Sequence, residues 1–320
     1  MSLAAHTPSA NAPVWVLGEA LMDCIAQPDG SLVPHLGGSP YNLALATALQ
    51  GGSVGFVAPF STDAFGQALI DHLQANHARS LLPRSPLPTS LAVVQLTNGQ
   101  PSYGFYRDGV ADRDYQVADV VALLEASPPG VLHTGSLMAM PPEHHKVLQI
   151  IAAAKRLGWT ISVDVNLRPR VATDLPSYLK AVREVAALAD WLKASDEDLA
   201  LLGFTDVSLS NASNLAAHWM AQGCSRVALT FGAQGAYLQV GNVHVQGAAP
   251  VVEVTDTVGA GDTFWGSCLA DWVLHNSLNN TSVAAQRVPQ TLQRALVAAA
   301  INCSRVGCQP PDVATLEAAL

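Results

Sequence analysis
The chain has 320 residues, of which 49% are hydrophobic and 13% charged, and a formal net charge of −9. This is a folded globular composition rather than a disordered one, and the length calls for one large domain with an accessory part, or for two domains. An acidic balance with no basic run offers nothing to a phosphate backbone or an anionic lipid surface, which excludes nucleic acid and membrane as partners.

The start, MSLAAHTPSANAP, lacks the basic opening and apolar core of a signal peptide, and no run reaches the ~18 apolar residues of a membrane span. Residues 1–12 read as a flexible tail, and 13–320 as the folded unit. From there short apolar runs alternate with helical patterns. WVLGEA, SVGFVAPF, GVLHTGSL, TISVDVN, DWLKAS and RVALTFG read as strands, and 41–50, 64–76, 144–157, 175–189, 211–222 and 290–304 as helices. Such alternation predicts an α/β fold, with a mostly parallel sheet covered on both faces and ligands at the strand C-terminal ends.

Two stretches break the rhythm. DCIAQPDGSLVPHLGG turns at Asp29-Gly30, and LAVVQLTNGQPSYGFYRD turns at Asn98-Gly99; each reads as a hairpin. Inserted at about 23–36 and 91–107, they predict a small sheet that projects from the body as a lid. An exposed apolar face on such a sheet also makes it the expected homodimer contact. A third hairpin signal, AYLQVGNVHVQG, follows RVALTFG.

Cys24, Cys224, Cys268, Cys303 and Cys308 are odd in number and scattered, without C-x-x-C or zinc spacing. They read as reduced thiols of a cytoplasmic protein. G-x-x-x-x-G-K-[ST], H-E-x-x-H and G-x-S-x-G are absent, as is G-x-G-x-x-G opening a helix after a strand. This removes P-loop, zinc-protease, hydrolase and dinucleotide-dehydrogenase readings.

TDTVGAGDTFWG, residues 255–266, is the most informative stretch. After Asp262 the bulky residues Phe264, Trp265, Cys268, Leu269, Trp272 and Val273 keep the rhythm of a helix with one buried face, so the helix begins near Asp262. Gly259, Ala260 and Gly261 then lie at its N-terminus, where free N–H groups and the helix dipole attract anions. Asp262 is either a helix cap or a base beside that anion. Side chains removed where a ligand oxygen would approach favour the base, acting on a hydroxyl nucleophile.

The run DTVGAGDTF at 256–264, with GGSPYNLALA at 37–46, resembles the paired signatures of the ribokinase-like sugar kinases, the PfkB family. Further similarities follow in order: GEALMD at 18–23, FYRDGVADR at 105–113, DVNLRP at 164–169, LKASDEDLALLG at 192–203, LTFGAQGAY at 229–237 and NCSRVGCQPP at 302–311. FYRDGVADR, DVNLRP and the Lys-x-Ser-x-Glu-Asp run are most similar to the bacterial fructokinase branch.

The resemblance implies a three-layer α/β/α fold with a lid, and an ATP-dependent sugar kinase that uses Mg²⁺ and K⁺. It makes Asp262 the base and the backbone of Gly259, Ala260 and Gly261 the anion hole. Asp23, Gly37, Gly38, Asn42, Arg107 and Arg113 are implied at the sugar, and Arg168, Thr230, Gly232, Gly235 and Asn302 at the nucleotide. Glu197 is implied as the residue ordering water around Mg²⁺, although the asparagine that accompanies it in the family is Ala194 here, with Lys193 and Ser195 alongside. Asp256, with a late loop at 305–309, is implied at a monovalent cation, or ties down the turn. Fructose is the expected substrate. The rivals are 2-keto-3-deoxygluconate, whose carboxylate needs an extra cation such as Arg107, and a non-catalytic sugar- or nucleotide-binding protein.

Overall fold
The computed structural model describes residues 12–27, 29–97, 100–275, 277–278 and 280–320, and the statements below are made of them. The expected tail lies outside this range up to residue 11, as does the Asn98-Gly99 turn.

Apolar runs that fill both faces of a parallel strand build the centre. In chain order the body contributes β1 (Val14–Val16), then, after the hairpin strands β2 (Leu21–Ala26) and β3 (Leu32–Gly37), α1 (Ser39–Leu49), β4 (Val54–Phe56), α2 (Ala64–Ala75) and β5 (Ala78–Ser80). A second hairpin, β6 (Ser90–Thr97) and β7 (Gln100–Tyr106), precedes α3 (Val117–Glu125), β8 (Val131–Gly135), α4 (His144–Arg156) and β9 (Thr160–Asp164). Next come α5 (Leu175–Ala186), β10 (Trp191–Ser195), α6 (Asp196–Leu201), α7 (Ala212–Ala221), β11 (Arg226–Thr230), β12 (Ala236–Val240) and β13 (Val243–Gly247). The chain closes with α8 (Ala260–Leu274), α9 (Thr281–Gln286), α10 (Val288–Cys303) and α11 (Val313–Ala319).

The body sheet has nine strands in the order β13-β12-β11-β10-β9-β8-β1-β4-β5, parallel from β11 to β5 and antiparallel at the β12–β13 edge. Every residue of β8 is buried, as a strand covered on both faces requires. Helices α1, α8 and α10 pack against one another, and α3, α4 and α5 form a second group. Trp265 on α8 donates from Nε1 to Ser162 Oγ of β9 at 2.9 Å, while α4 packs on the same strand, so the two groups cover opposite faces. Helix α4 shows why: Val147, Ile150, Ile151 and Ala154 make one apolar stripe.

The expected small sheet is present as β3-β2-β6-β7, with β2 and β6 parallel and both hairpins antiparallel. At its first turn Asp29 Oδ1 accepts from the Ser31 N–H at 2.9 Å and Gly30 takes φ 83°.

The structure is shorter in strand than the apolar runs. WVLGEA supplies only Trp15 and Val16 to β1, because the chain leaves the body sheet after Leu17 to enter the small sheet. GVLHTGSL gives strand to Gly135 and then a 3-10 turn over Ser136–Ala139. Helix α8 differs most: it is buried all round from Asp262 to Val273, since α1 and α10 cover the side that carries Thr263, Ser267 and Asp271. Strand order reverses at β1, which has β4 on one side and β8 on the other. The crevice beyond their C-terminal ends is where a ligand fits such a sheet.

Candidate active site
Helix α8 brings its N-terminus over β10, where Lys193 reaches Gly261, and against the start of α1. Its N-cap Gly259 has φ 74°, and a Cβ there would lie 2.2 Å from Cys308 Sγ, so both backbone and space demand glycine. No side chain caps the helix. The Ala260 N–H turns back to Thr257 O at 3.2 Å, which leaves those of Gly261 and Asp262 to an outside acceptor, and the bare cradle fits a phosphate.

Asp262 sits in that first turn, 7% exposed. Ser39 Oγ donates to its Oδ1 at 2.7 Å and Asn42 Nδ2 to its Oδ2 at 3.0 Å. Asn42 thus holds the carboxylate itself, a role the sequence did not disclose. Ser39 in turn accepts a short hydrogen bond from Asn166 Nδ2, and Asn166 Oδ1 accepts from Arg168 Nη1 at 2.6 Å. Neither Ser39 nor Asn166 was singled out in advance, although both stand inside quoted motifs.

Beneath the cradle, Lys193 Nζ lies 3.0 Å from where a Cβ on Gly261 would be. It donates to Asp164 Oδ1 and Oδ2 at 3.0 and 2.9 Å. Burial disfavours its charge, but the carboxylates of Asp164, Asp198 and Asp262 outweigh that and hold its pKa above the ordinary lysine value. Glu197 is exposed, whereas Asp198 turns inward, accepting from the Ser195 and Leu167 N–H groups at 2.8 and 2.7 Å. One step along a helix rotates a side chain by about 100°, so these neighbouring carboxylates face different ways.

On the lid side, Asp23 of β2 pairs with His35 of β3, and a Cβ on Gly37 would meet Asp23 Oδ2 at 2.1 Å. Gly38 has φ 106° and no room, with Glu19 O at 2.6 Å from its would-be Cβ. Burial pushes Asp23 up to about 6, against the pull of Arg168 and His35 and with a contribution from Asp262.

Arg107 is buried and donates to Asp112 Oδ2 at 3.1 Å, while Ser90 Oγ donates to Asp112 Oδ1 at 2.7 Å. Arg113 donates to Arg107 O at 2.6 Å and pairs with Glu143 at 3.2 Å. Both arginines line a cleft of about 480 Å³ shared with Phe105, Leu137 and Tyr178. They are tied to carboxylates rather than reaching toward Asp262.

On the other side, Thr230 ends β11, Gly232 faces open space, and a Cβ on Gly235 would strike Gly247 O at 2.0 Å. Asn302 was expected beside adenine, but it is fully buried, donating to Val258 O at 2.8 Å and accepting from the Gln309 N–H at 2.8 Å. It fastens two loops instead of offering a free side chain. Asp256 does likewise, accepting from the Val258 and Gly307 N–H groups at 3.0 and 2.9 Å. Among the described residues no group of three or more His, Cys, Asp or Glu could hold a metal. No helix of those residues is long and apolar enough to cross a membrane.

A bare helix N-terminus with a buried carboxylate in its first turn, beneath a lid, defines an enzyme that passes a phosphoryl group to a hydroxyl. The signature of the pfkB family carbohydrate kinases matches residues 11–315, and the chain belongs to that family. It is 33% identical over 273 residues to a fructokinase of Rhizobium leguminosarum bv. trifolii, covering 84% of this chain and 82% of the relative. Among solved structures it is similar to the fructokinase of Vibrio cholerae O395 in a fructose-, ADP- and calcium-bound form, with TM-score 0.82 and 27% identity over 98% of this chain and 100% of that one. A double mutant of that enzyme with fructose, ADP and potassium ion bound matches with TM-score 0.82 and 26% identity, covering the same shares.

Proposed function
We propose that the protein is an ATP-dependent fructokinase that converts D-fructose and ATP to D-fructose 6-phosphate and ADP. The observation that carries this reading is Asp262, buried beside an uncapped helix N-terminus and held on both oxygens by Ser39 and Asn42. In this reading Asp262 takes the proton of the sugar hydroxyl as that oxygen attacks the terminal phosphorus. The N–H groups that follow Gly259 receive the charge that develops on the transferred group. Asp23 binds sugar hydroxyls beside the bare backbone of Gly37 and Gly38. Arg168, Thr230, Gly232 and Gly235 flank the nucleotide.

Mg²⁺ would neutralise charge on the nucleotide phosphates, with the exposed Glu197 as the carboxylate that reaches its waters. The loops joined by Asp256 are suited to K⁺, and the potassium-bound relative supports that assignment. A neutral sugar is favoured over 2-keto-3-deoxygluconate by the state of Arg107. Burial disfavours its charge, but Asp112 and Glu19 balance it, so it is not a free cation for a substrate carboxylate.

Residues 13–320 form one catalytic domain in this reading, with the lid inserted. A second copy packs on the lid, supported by exposed Ile25, Leu32 and Val33; a monomer by light scattering at micromolar concentration would remove that element. Unpaired thiols at all five cysteines support a cytoplasmic setting.

The test is ADP release from MgATP across fructose, 2-keto-3-deoxygluconate, ribose, mannose and adenosine, beside Asp262→Ala. Turnover on fructose that falls by about 10²-fold or more in the variant is expected. Turnover on another sugar overturns the specificity. Sugar binding without turnover on any of them returns the binding-protein reading.

A further inference from the structure
Ser39 is the first residue of α1, one position after the N-cap Gly38, and α1 has no side-chain cap. The Ser39 hydroxyl goes to Asp262, 223 residues away in sequence. Asn166, which donates to that hydroxyl, sits at φ 38°, in the sparsely populated left-handed region that asparagine tolerates better than most residues. Its backbone is therefore held in an unusual conformation at the point where its amide meets Ser39. Arg168 completes the line by donating to Asn166 Oδ1.

This line has a direction that the chemistry of its members fixes. A guanidinium only donates and an ionised carboxylate only accepts. Arg168 therefore fixes Asn166 with Oδ1 outward and Nδ2 toward Ser39. Ser39 Oγ, accepting from Asn166, must send its single proton to Asp262. All the dipoles point the same way, from an exposed cation to a buried anion, which is the arrangement in which successive hydrogen bonds polarise one another.

We infer that Arg168, Asn166 and Ser39 form a one-way positioning relay that sets the plane of the Asp262 carboxylate. Three segments far apart in sequence meet in it: the loop after β9, the start of α1 and the start of α8. With Asn42 on Oδ2 and Ser39 on Oδ1, the carboxylate cannot rotate, and its remaining lone pairs face a fixed direction. A base that must meet a hydroxyl at hydrogen-bonding distance depends on such fixing. Ser39 and Asn166 act through Asp262 and are not themselves required to touch the sugar. This inference rests on the kinase reading above.

The experiment is a set of mutant cycles on kcat. Ser39→Ala is expected to lower kcat about tenfold with the KM values of sugar and ATP within about twofold, the pattern of an interaction expressed in the transition state. Ser39→Thr, which keeps the hydroxyl, restores the rate. Ser39→Ala combined with Asn166→Ala, or with Arg168→Met, loses less than the product of the single losses, because each breaks the same line. In Asp262→Ala, Ser39→Ala changes the residual rate by less than about twofold.

Wild-type kcat in Ser39→Ala, or multiplicative losses, would overturn the relay while leaving the kinase reading intact. A wild type that turns over no sugar defeats the kinase reading alone. The relay is then decided without substrate, by a urea-unfolding cycle of Ser39→Ala and Asp262→Ala, in which strictly additive losses overturn it.

Discussion

Asn42 Nδ2 donates to Asp262 Oδ2 at 3.0 Å, joining α1, the helix that follows the first hairpin, to the first turn of α8. An asparagine in the Gly-Gly motif thus serves the carboxylate directly. Asn42→Ala is expected to lower kcat about tenfold with little change in sugar KM, since it frees one carboxylate oxygen and leaves the lid alone. Steady-state kinetics checks this. A higher sugar KM at unchanged kcat would make Asn42 a sugar contact instead.

Gly259→Ala meets two obstacles, φ 74° and the Cys308 sulfur at 2.2 Å from the new Cβ. The backbone alone costs about 1–2 kcal/mol, and the collision adds to that. We expect a lower urea midpoint and loss of turnover, because the cradle N–H groups move with Gly259. Adding Cys308→Ala removes the sulfur but leaves the Cβ of residue 308 at 2.7 Å and the φ strain, so stability is regained only in part.

The Lys193–Asp164 pair is buried, and losing one partner leaves the other charge unpaired. Asp164→Asn and Lys193→Met are each expected to destabilise by about 3–5 kcal/mol in urea unfolding. The double variant should cost less than the sum, since it strands no charge. Additive losses would show that the two groups do not depend on each other.

Asp23 titrates near 6 because of its burial. Below that pH it is protonated and loses acceptor capacity for sugar hydroxyls. Sugar KM is therefore expected to rise as pH falls from 7 to 5, while Asp23→Asn gives a high KM that is flat over the same range. The stability effect has the opposite sense. The unfolded carboxyl ionises near 4, so the native state loses stability as pH rises from about 4 through 6. A sugar KM in the wild type that does not vary over this range would exclude Asp23 from the sugar site.

The β–α alternation of residues 160–232 is legible because parallel strands buried on both faces leave apolar runs, and amphipathic helices separate them. The small sheet is legible through the Asp29-Gly30 turn and the alternating arms that flank both hairpins. Helix α8 is read to within two residues at its start, Ala260 against Asp262, and only partly in its burial, because Ser267 and Asp271 look like an exposed face. In fact Ser267 donates to Gln50 Oε1 at 2.8 Å and Asp271 is held by Arg287 and Thr291. Ser39 and Asn166 escape because their partners are more than a hundred residues away, and no local pattern marks such a bond. The engagement of Arg107 by Asp112 likewise depends on how the chain folds back after β7.

The burial of α8 on every side from Asp262 to Val273 has a further consequence. A reacting group anchored in the middle of the core cannot travel to meet its substrate, so any closing movement is assigned to the four-stranded sheet above it. In the proposed reading the two tasks fall to different parts of the chain, the phosphoryl chemistry to the body and part of the sugar contact, through Asp23 and Gly37, to β2 and β3.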